Sequence, residues 1–382
     1  MLGIVVKHMW GCALRNCHPL NDLAEDKEMK LKWKRLVGFA QEDLLGLDIG
    51  SSSVRMVQLE RGKEGFSVIS AAIYEIRQSE SGSDISSVDV INAVKKCLAH
   101  ATKHSKWAVC SVSGSEVAVR HFKFPPLAPE ELEGAVHLEA SQVCPFNVDD
   151  GVVDYQLIQN GLSEDCVSGV LVAATNDVVR CKVRLVEQCS LNCVLMDVDG
   201  LALLNCLAET KNEAFPLTTS AILDVGASTT TLAVMSDNHF PFVRTIPYAG
   251  KDIVAFIARE NNVSAEAVKK NIYGSSVPEI SSEKIEKSME IACQKLVSDV
   301  AETLRYHSTQ ERTSPVERIL VCGGFGMVRG FVDILNRHLP LKAILWNPFD
   351  TMKCSVDRKC LDVIQSKGPV MAVAAGLAMR SV

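Results

Sequence analysis

Apolar and polar positions along this 382-residue chain mark one small device that occurs twice. Residues 44–49 are mostly apolar and carry Asp48 near their end. The chain then turns at Gly50 through Ser51, Ser52 and Ser53, and a second apolar run leaves through Val54, Met56, Val57 and Leu59. This pattern predicts strand, tight turn, strand. Residues 221–235 repeat it, with Asp224, Gly226, Ser228, Thr229 and Thr230 in matching places. The shared frame Leu-Asp-[Ile/Val]-Gly-x-Ser predicts two related halves.

The remaining pattern fills out both halves. A third strand is expected over 66–76 and a fourth over 107–112. Between them a helix over 86–104 buries Val90, Ala93, Val94, Cys97 and Ala101. Residues 117–192 then change character and predict an inserted α+β module. Its first helix starts at Pro129 with Glu130 and Glu131 in the first turn, and ends at Cys144-Pro145-Phe146. Strands over 154–158 and 167–174 and a helix over 177–188 complete it. A strand over 194–199 enters a helix over 200–208. In the second half, helices are expected over 250–262 and 265–270. A long helix over 282–307 carries the stripe Ile285, Met289, Ala292, Leu296, Val300 and Leu304. A strand from Arg318 ends in Gly323, Gly324, Phe325 and Gly326, followed by a helix with Phe331, Leu335 and Leu339 inward. Small residues over 368–378 suit close helix packing.

These elements divide the chain into a leader (1–42), a first half (43–116 and 193–215), the module (117–192), a second half (216–252 and 316–382) and a helical subdomain (253–315). The leader mixes Gly, Cys, His and Pro without periodicity and is expected to be disordered. Met29 is an alternative start. Cys12, Cys17 and His18 lack a fourth ligand at zinc spacing. The basic run at 30–35 reads as a solvated helix face, with contact to an anionic membrane surface as the other reading.

Composition narrows the function. Apolar residues are 47% and charged residues 23%, the proportions of a globular protein. A net charge of -6 argues against a general nucleic-acid binder. The 14 cysteines are scattered and no secretory signal is evident, so reduced thiols are expected. The longest apolar stretch, 368–379, is too short to span a bilayer.

The chemistry sits in the turns. Glycine lets backbone N–H groups face into a turn, and the serine and threonine hydroxyls add donors, so each turn suits phosphate oxygens. Asp48 and Asp224 at strand ends can hold a hydrated Mg²⁺ on those phosphates. One such hairpin is equally an ordinary β-turn with a capping aspartate; the second copy favours a nucleotide between two halves. The glycines at 323–326 then read as a further close approach to that nucleotide.

This arrangement resembles the actin/Hsp70/sugar-kinase ATPase fold, an α/β fold with duplicated RNase H-like halves. The module stands where the division protein FtsA carries an extra subdomain. Within that superfamily the chain resembles the PilM family of cytoplasmic actin-like proteins of type IV pilus assembly. The stretches that carry the likeness are 45–52, 138–146, 154–157, 196–199 and 246–253, of which 138–146 is the most specific. His137 and Cys144 replace the aromatic or larger apolar residues common there. The resemblance implies ATP with Mg²⁺ between the halves, Asp48 and Asp224 flanking the metal through water. Gly50, Ser51, Ser52, Ser53, Gly226, Ser228, Thr229 and Thr230 would bind phosphates. Gly323, Gly324 and Phe325 would meet the adenosine. Glu266 and Lys269 would meet ribose and adenine, their other reading being a solvated helical pair. Asp199 would orient water; being shorter than the usual glutamate, it implies at most slow ATPase activity.

The implied partner is the N-terminal tail of a PilN-like inner-membrane protein, in a groove near Pro145 and Phe146. That would place the protein in the cytoplasm at the inner membrane, with pilus motor ATPases and self-association as further contacts. Other readings are an FtsA-like division or type II secretion scaffold, and a small-molecule kinase of the same fold, for which no general base is evident.

Overall fold

The computed structural model describes residues 44–63, 65–77, 86–101, 105–163, 166–210, 219–235, 240–274, 281–310, 314–354, 356 and 358–380. The leader, the basic run at 30–35 and the linker 211–218 lie outside the described residues.

Two sheets share one topology. The first contains β1 (Leu44–Ile49), β2 (Ser53–Gly62), β3 (Gly65–Glu75), β4 (Trp107–Val112) and β8 (Asn192–Val198), in the order β3-β2-β1-β4-β8. The second contains β9 (Ser220–Val225), β10 (Thr230–Met235), β11 (Pro241–Ile246), β12 (Arg318–Cys322) and β13 (Lys342–Leu345), in the order β11-β10-β9-β12-β13. In each, the first strand pairs antiparallel with the second and parallel with the fourth. The halves are copies in backbone as well as in motif. A short strand, β14 (Lys353–Cys354), pairs parallel with β3 and extends the first sheet.

The central strands are buried on both faces, and so read as continuous apolar runs. All six residues of β1 are buried. Leu44, Leu45 and Leu47 are nearly inaccessible, each contributing about 1.5–3 kcal/mol by burial.

The inserted module is a three-stranded antiparallel sheet, β5-β7-β6, formed by β5 (Val117–Phe124), β6 (Gly151–Ser163) and β7 (Cys166–Thr175). The expected strand over 154–158 is the middle of the longer β6; β5 had no sequence expectation of its own. The helix α2 (Pro129–Val143) closes a small separate core of Phe122, Leu132, Val136, Ala140, Val148, Val167 and Leu171. At its start Glu131 accepts the Ala128 N–H, which ties the entry turn to the first turn of helix.

Helices cover the sheets. The helix α1 (Ser87–Leu98) is capped by Ser86 and stops before its expected end, with Ala99 as C-cap. The helix α3 (Asn176–Glu187) follows directly from β7 and packs on β8, β4 and α1. In the second half α5 (Gly250–Asn261), α6 (Ala265–Ile272) and α7 (Ser282–Ser308) pack together, with Ile285, Met289, Ala292, Leu296 and Val300 of α7 buried. The helices α8 (Phe331–His338) and α9 (Arg358–Lys367) pack on β13 and β3.

Two helices join the halves: α4 (Asp199–Thr210) and α10 (Ala372–Ala378). They cross at backbone distance. A Cβ on Gly376 would stand 1.9 Å from the Ala202 carbonyl oxygen, and one on Gly46 of β1 would stand 2.1 Å from the Ala374 carbonyl oxygen. Asn205 Nδ2 donates to the Gly376 carbonyl at 3.0 Å. Below the crossing, Arg380 Nε donates to Asp197 Oδ2 at 2.5 Å inside the core.

Candidate functional site

The two hairpins have the same internal geometry. Gly50 N–H donates to the Ser53 carbonyl at 3.1 Å, and Gly226 N–H to the Thr229 carbonyl at 3.0 Å. In register, Ile49 faces Val54 and Val225 faces Thr230, which puts Asp48 opposite Arg55 and Asp224 opposite Thr231. Ser51, Ser52, Ser228 and Thr229 are half-buried in the turns. Ser53 and Thr230 are buried, and the Thr230 hydroxyl donates inward to the Tyr248 carbonyl at 2.8 Å. Thr230 therefore braces its hairpin and does not present its proton to the turn.

Asp48, Asp199 and Asp224 stand at the carboxyl ends of β1, β8 and β9, the edge where open parallel sheets take ligands. The structure brings all three within one electrostatic field. Arg55 belongs to the same group. Its Nη1 donates to Asp48 Oδ2 at 2.6 Å. Burial works against its charge, yet Asp48, Asp224 and Asp199 together hold it above its ordinary value. Its Nε is buried without an acceptor.

Burial pushes Asp224 up to about 7; Arg55 opposes the shift while Asp199 and Asp48 add to it. Burial also raises Asp199 to about 6, with Asp48 adding and with Ser111, Ser113 and Lys182 opposing. Lys182 of α3 donates from Nζ to the Ile49 carbonyl, one residue before the first turn.

The glycine turn packs on the second hairpin. Gly323 has φ +86, and a Cβ there would lie 2.2 Å from Asp224 Oδ1. Only glycine tolerates both the left-handed backbone and that approach. Gly250 and Lys251, at the start of α5, donate to the carbonyls of Gly226 and Ala227 at 3.1 and 2.8 Å and fix the same hairpin from its other side. Gly324 is half-buried, and its carbonyl accepts from the Tyr273 hydroxyl at 3.3 Å. Phe325 is core, its ring 5.2 Å from that of Phe331 and edge-on to it.

Two further candidates stand on α6. Glu266 is exposed and pairs with Lys270 at 3.0 Å; Lys269 is half-buried. Tyr273, just past α6, is the residue that ties this helix to the glycine turn. On the module, Pro145 is exposed, whereas Phe146 packs partly against the module's core.

Sequence reading missed Arg55, Ser111, Ser113, Lys182 and Tyr273. Arg55 had a signal: a four-residue turn after Ile49 places residue 55 across from Asp48. The rest arrive from distant elements and had none.

The site suits a phosphate chain. It offers turn N–H groups, the positive charge of a buried guanidinium, and a close glycine approach. Asp48 and Asp224 share one field there, and carboxylate oxygens are donors of the kind that magnesium takes directly or through its waters. Among the described residues no three acidic, histidine or cysteine side chains close up for direct ligation. Every described cysteine is a free thiol, and no described helix is long and apolar enough to cross a membrane.

Known proteins match this architecture. The family "Type IV pilus assembly protein PilM" matches residues 46–382. The cell division protein FtsA of Bacillus subtilis (strain 168) is 22% identical over 268 residues, or 63% of this chain and 60% of that protein. The chain thus spans less than two thirds of that curated relative's length. Among solved structures, a PilM-PilN type IV pilus biogenesis complex matches with a TM-score of 0.74 at 24% identity, over 88% of this chain and 98% of the matched one. The ethanolamine utilization protein EutJ of Carboxydothermus hydrogenoformans matches with a TM-score of 0.52 at 14% identity, over 88% and 89%. The expected fold is the one observed: actin-like, α/β, with twin halves and an inserted α+β module.

Proposed function

The chain belongs to the type IV pilus assembly protein PilM family, and from that premise we propose that it is an ATP-binding scaffold of the pilus assembly machinery. The observation that carries the nucleotide reading is the convergence of Asp48, Asp199, Asp224 and Arg55 between two hairpins of identical hydrogen bonding.

In this reading the Gly50 and Gly226 turns and the hydroxyls of Ser51, Ser52, Ser228 and Thr229 take the phosphates. The guanidinium of Arg55 supplies a fixed positive charge beside Asp48. Asp48 and Asp224 would hold magnesium through water, and the ion would neutralise phosphate charge. Asp199 orients water. Its short side chain fits at most slow hydrolysis. The glycine turn and Tyr273 border the nucleoside.

The partner in this reading is the N-terminal tail of a PilN-like inner-membrane protein. It is supported by the solved relative, which was determined as a PilM-PilN complex. The tail would dock beside the module near exposed Pro145, holding the protein at the cytoplasmic face of the inner membrane. Motor ATPases and further copies of the chain are additional candidate contacts.

Titration calorimetry tests both parts. The wild type should bind ATP only with magnesium, and Asp224→Ala should not bind it. A peptide with the PilN-like N-terminal sequence should bind the wild type. Magnesium-independent or absent ATP binding ends the nucleotide reading; absent peptide binding ends the partner reading.

A further inference from the structure

Lys182 has no role in the motifs that carry the nucleotide reading, yet its side chain crosses to the site from α3, the last helix of the 117–192 insertion. The helix α3 packs on β4 and β8, and Lys182 reaches the carboxyl end of β1, where its Nζ donates to the Ile49 carbonyl. It arrives on the side of the site formed by the first half. There Ser111 and Ser113, at the end of β4, and Lys182 all favour the ionised form of Asp199. The glycine turn at Gly323 packs instead on the hairpin of the second half. An ammonium carries three donors, and the Ile49 carbonyl engages one of them. Of the two cations, Arg55 is committed to Asp48 at 2.6 Å, while Lys182 lies in the field of Asp199.

We propose that Lys182 is the residue that distinguishes a nucleoside triphosphate from a diphosphate, by directing its remaining N–H donors to the terminal phosphate from its anchorage on Ile49. The inference rests on the nucleotide reading above and on Asp199 marking the terminal-phosphate end. Because α3 begins where β7 of the module ends, Lys182 also ties the module's position to that end of the site. A charge-assisted hydrogen bond to a single phosphate is lost completely when that phosphate is missing, so the effect is confined to the triphosphate.

The test is calorimetry with ATP and with ADP, magnesium present, on wild type, Lys182→Ala, Lys182→Met and Lys182→Arg. Lys182→Met keeps the apolar stem on α3 and decides the matter if Lys182→Ala does not fold. The neutral variants should lose about tenfold or more in ATP affinity while ADP affinity stays within about twofold, and Lys182→Arg should restore most of the ATP affinity. Equal losses for both nucleotides would assign Lys182 to bracing Ile49, and unchanged affinities would leave it no role; either result overturns the proposal while the nucleotide reading stands. A wild type that binds neither nucleotide removes both.

Discussion

Arg55 and Asp48 face each other across the first hairpin, joined at 2.6 Å, while the matching position opposite Asp224 in the second hairpin is Thr231. The duplicated halves therefore differ at the point where charge matters most. The first half brings a guanidinium into the site and the second does not.

Removing that guanidinium leaves Asp48 buried without its partner. Arg55→Ala should weaken nucleotide binding by about tenfold to a hundredfold, the worth of one or two hydrogen bonds to charged groups. Arg55→Lys should recover part of this, since a lysine keeps the charge but loses the planar fork. Equilibrium binding of a fluorescent ATP analogue reads the effect; unchanged affinity in Arg55→Ala would remove Arg55 from the site.

Proton binding at the site gives a pH dependence with a definite sign. Asp224 at about 7 and Asp199 at about 6 both lie above the unfolded carboxyl at 3.8. Between those values the folded, nucleotide-free protein holds protons that the unfolded chain has released. The stability from these groups is complete below about pH 4 and is lost as pH rises through about 6 to 7. The melting temperature without nucleotide should fall by a few degrees from about pH 5.5 to about pH 8. Asp224→Asn, which stays neutral throughout, should flatten the fall. A wild-type profile that is level across this range would show that the carboxyls ionise normally.

Gly323 admits no side chain. Its φ is +86, and a methyl group would collide with Asp224 Oδ1. Gly323→Ala should cost about 1–3 kcal/mol of stability through backbone strain and overpacking. Because the clash falls on Asp224, magnesium-dependent binding should be lost even where the variant remains folded. Urea titration and calorimetry on the same sample separate the two effects.

Glu266 gives the opposite expectation. Its carboxylate is exposed and spent on Lys270 within one turn of α6. Glu266→Ala should leave ATP affinity within about twofold, as expected for a solvated surface pair. Tyr273→Ala, which removes the link to Gly324, should affect binding more. A large loss in Glu266→Ala alone would mean that α6 turns Glu266 to the nucleotide on binding.

The paired hairpins were legible because a strand–turn–strand needs few residues and its glycine, serine and aspartate positions are fixed by backbone geometry. The long helix α7 was legible from one stripe at helical spacing. Short pieces were not: β13 and β14 have too few residues to establish an alternation, and β5 mixes Arg120, His121 and Lys123 with its apolar positions. At the site, aspartates in the repeated frame could be read directly. Lys182 and Tyr273 could not, since their roles depend on where α3 and α6 lie against the hairpins. Phe325 looked available beside two glycines; the structure turns its ring into the core against Phe331.

The contact between Gly376 and Ala202 has a mechanical consequence. Where two helices meet main chain to main chain, a single added methyl group has nowhere to go. Gly376→Ala would wedge α10 away from Ala202 and strain the bond from Asn205 to the carbonyl at 376. A change made at this distance from the turns would therefore reach both hairpins through the helices that carry them.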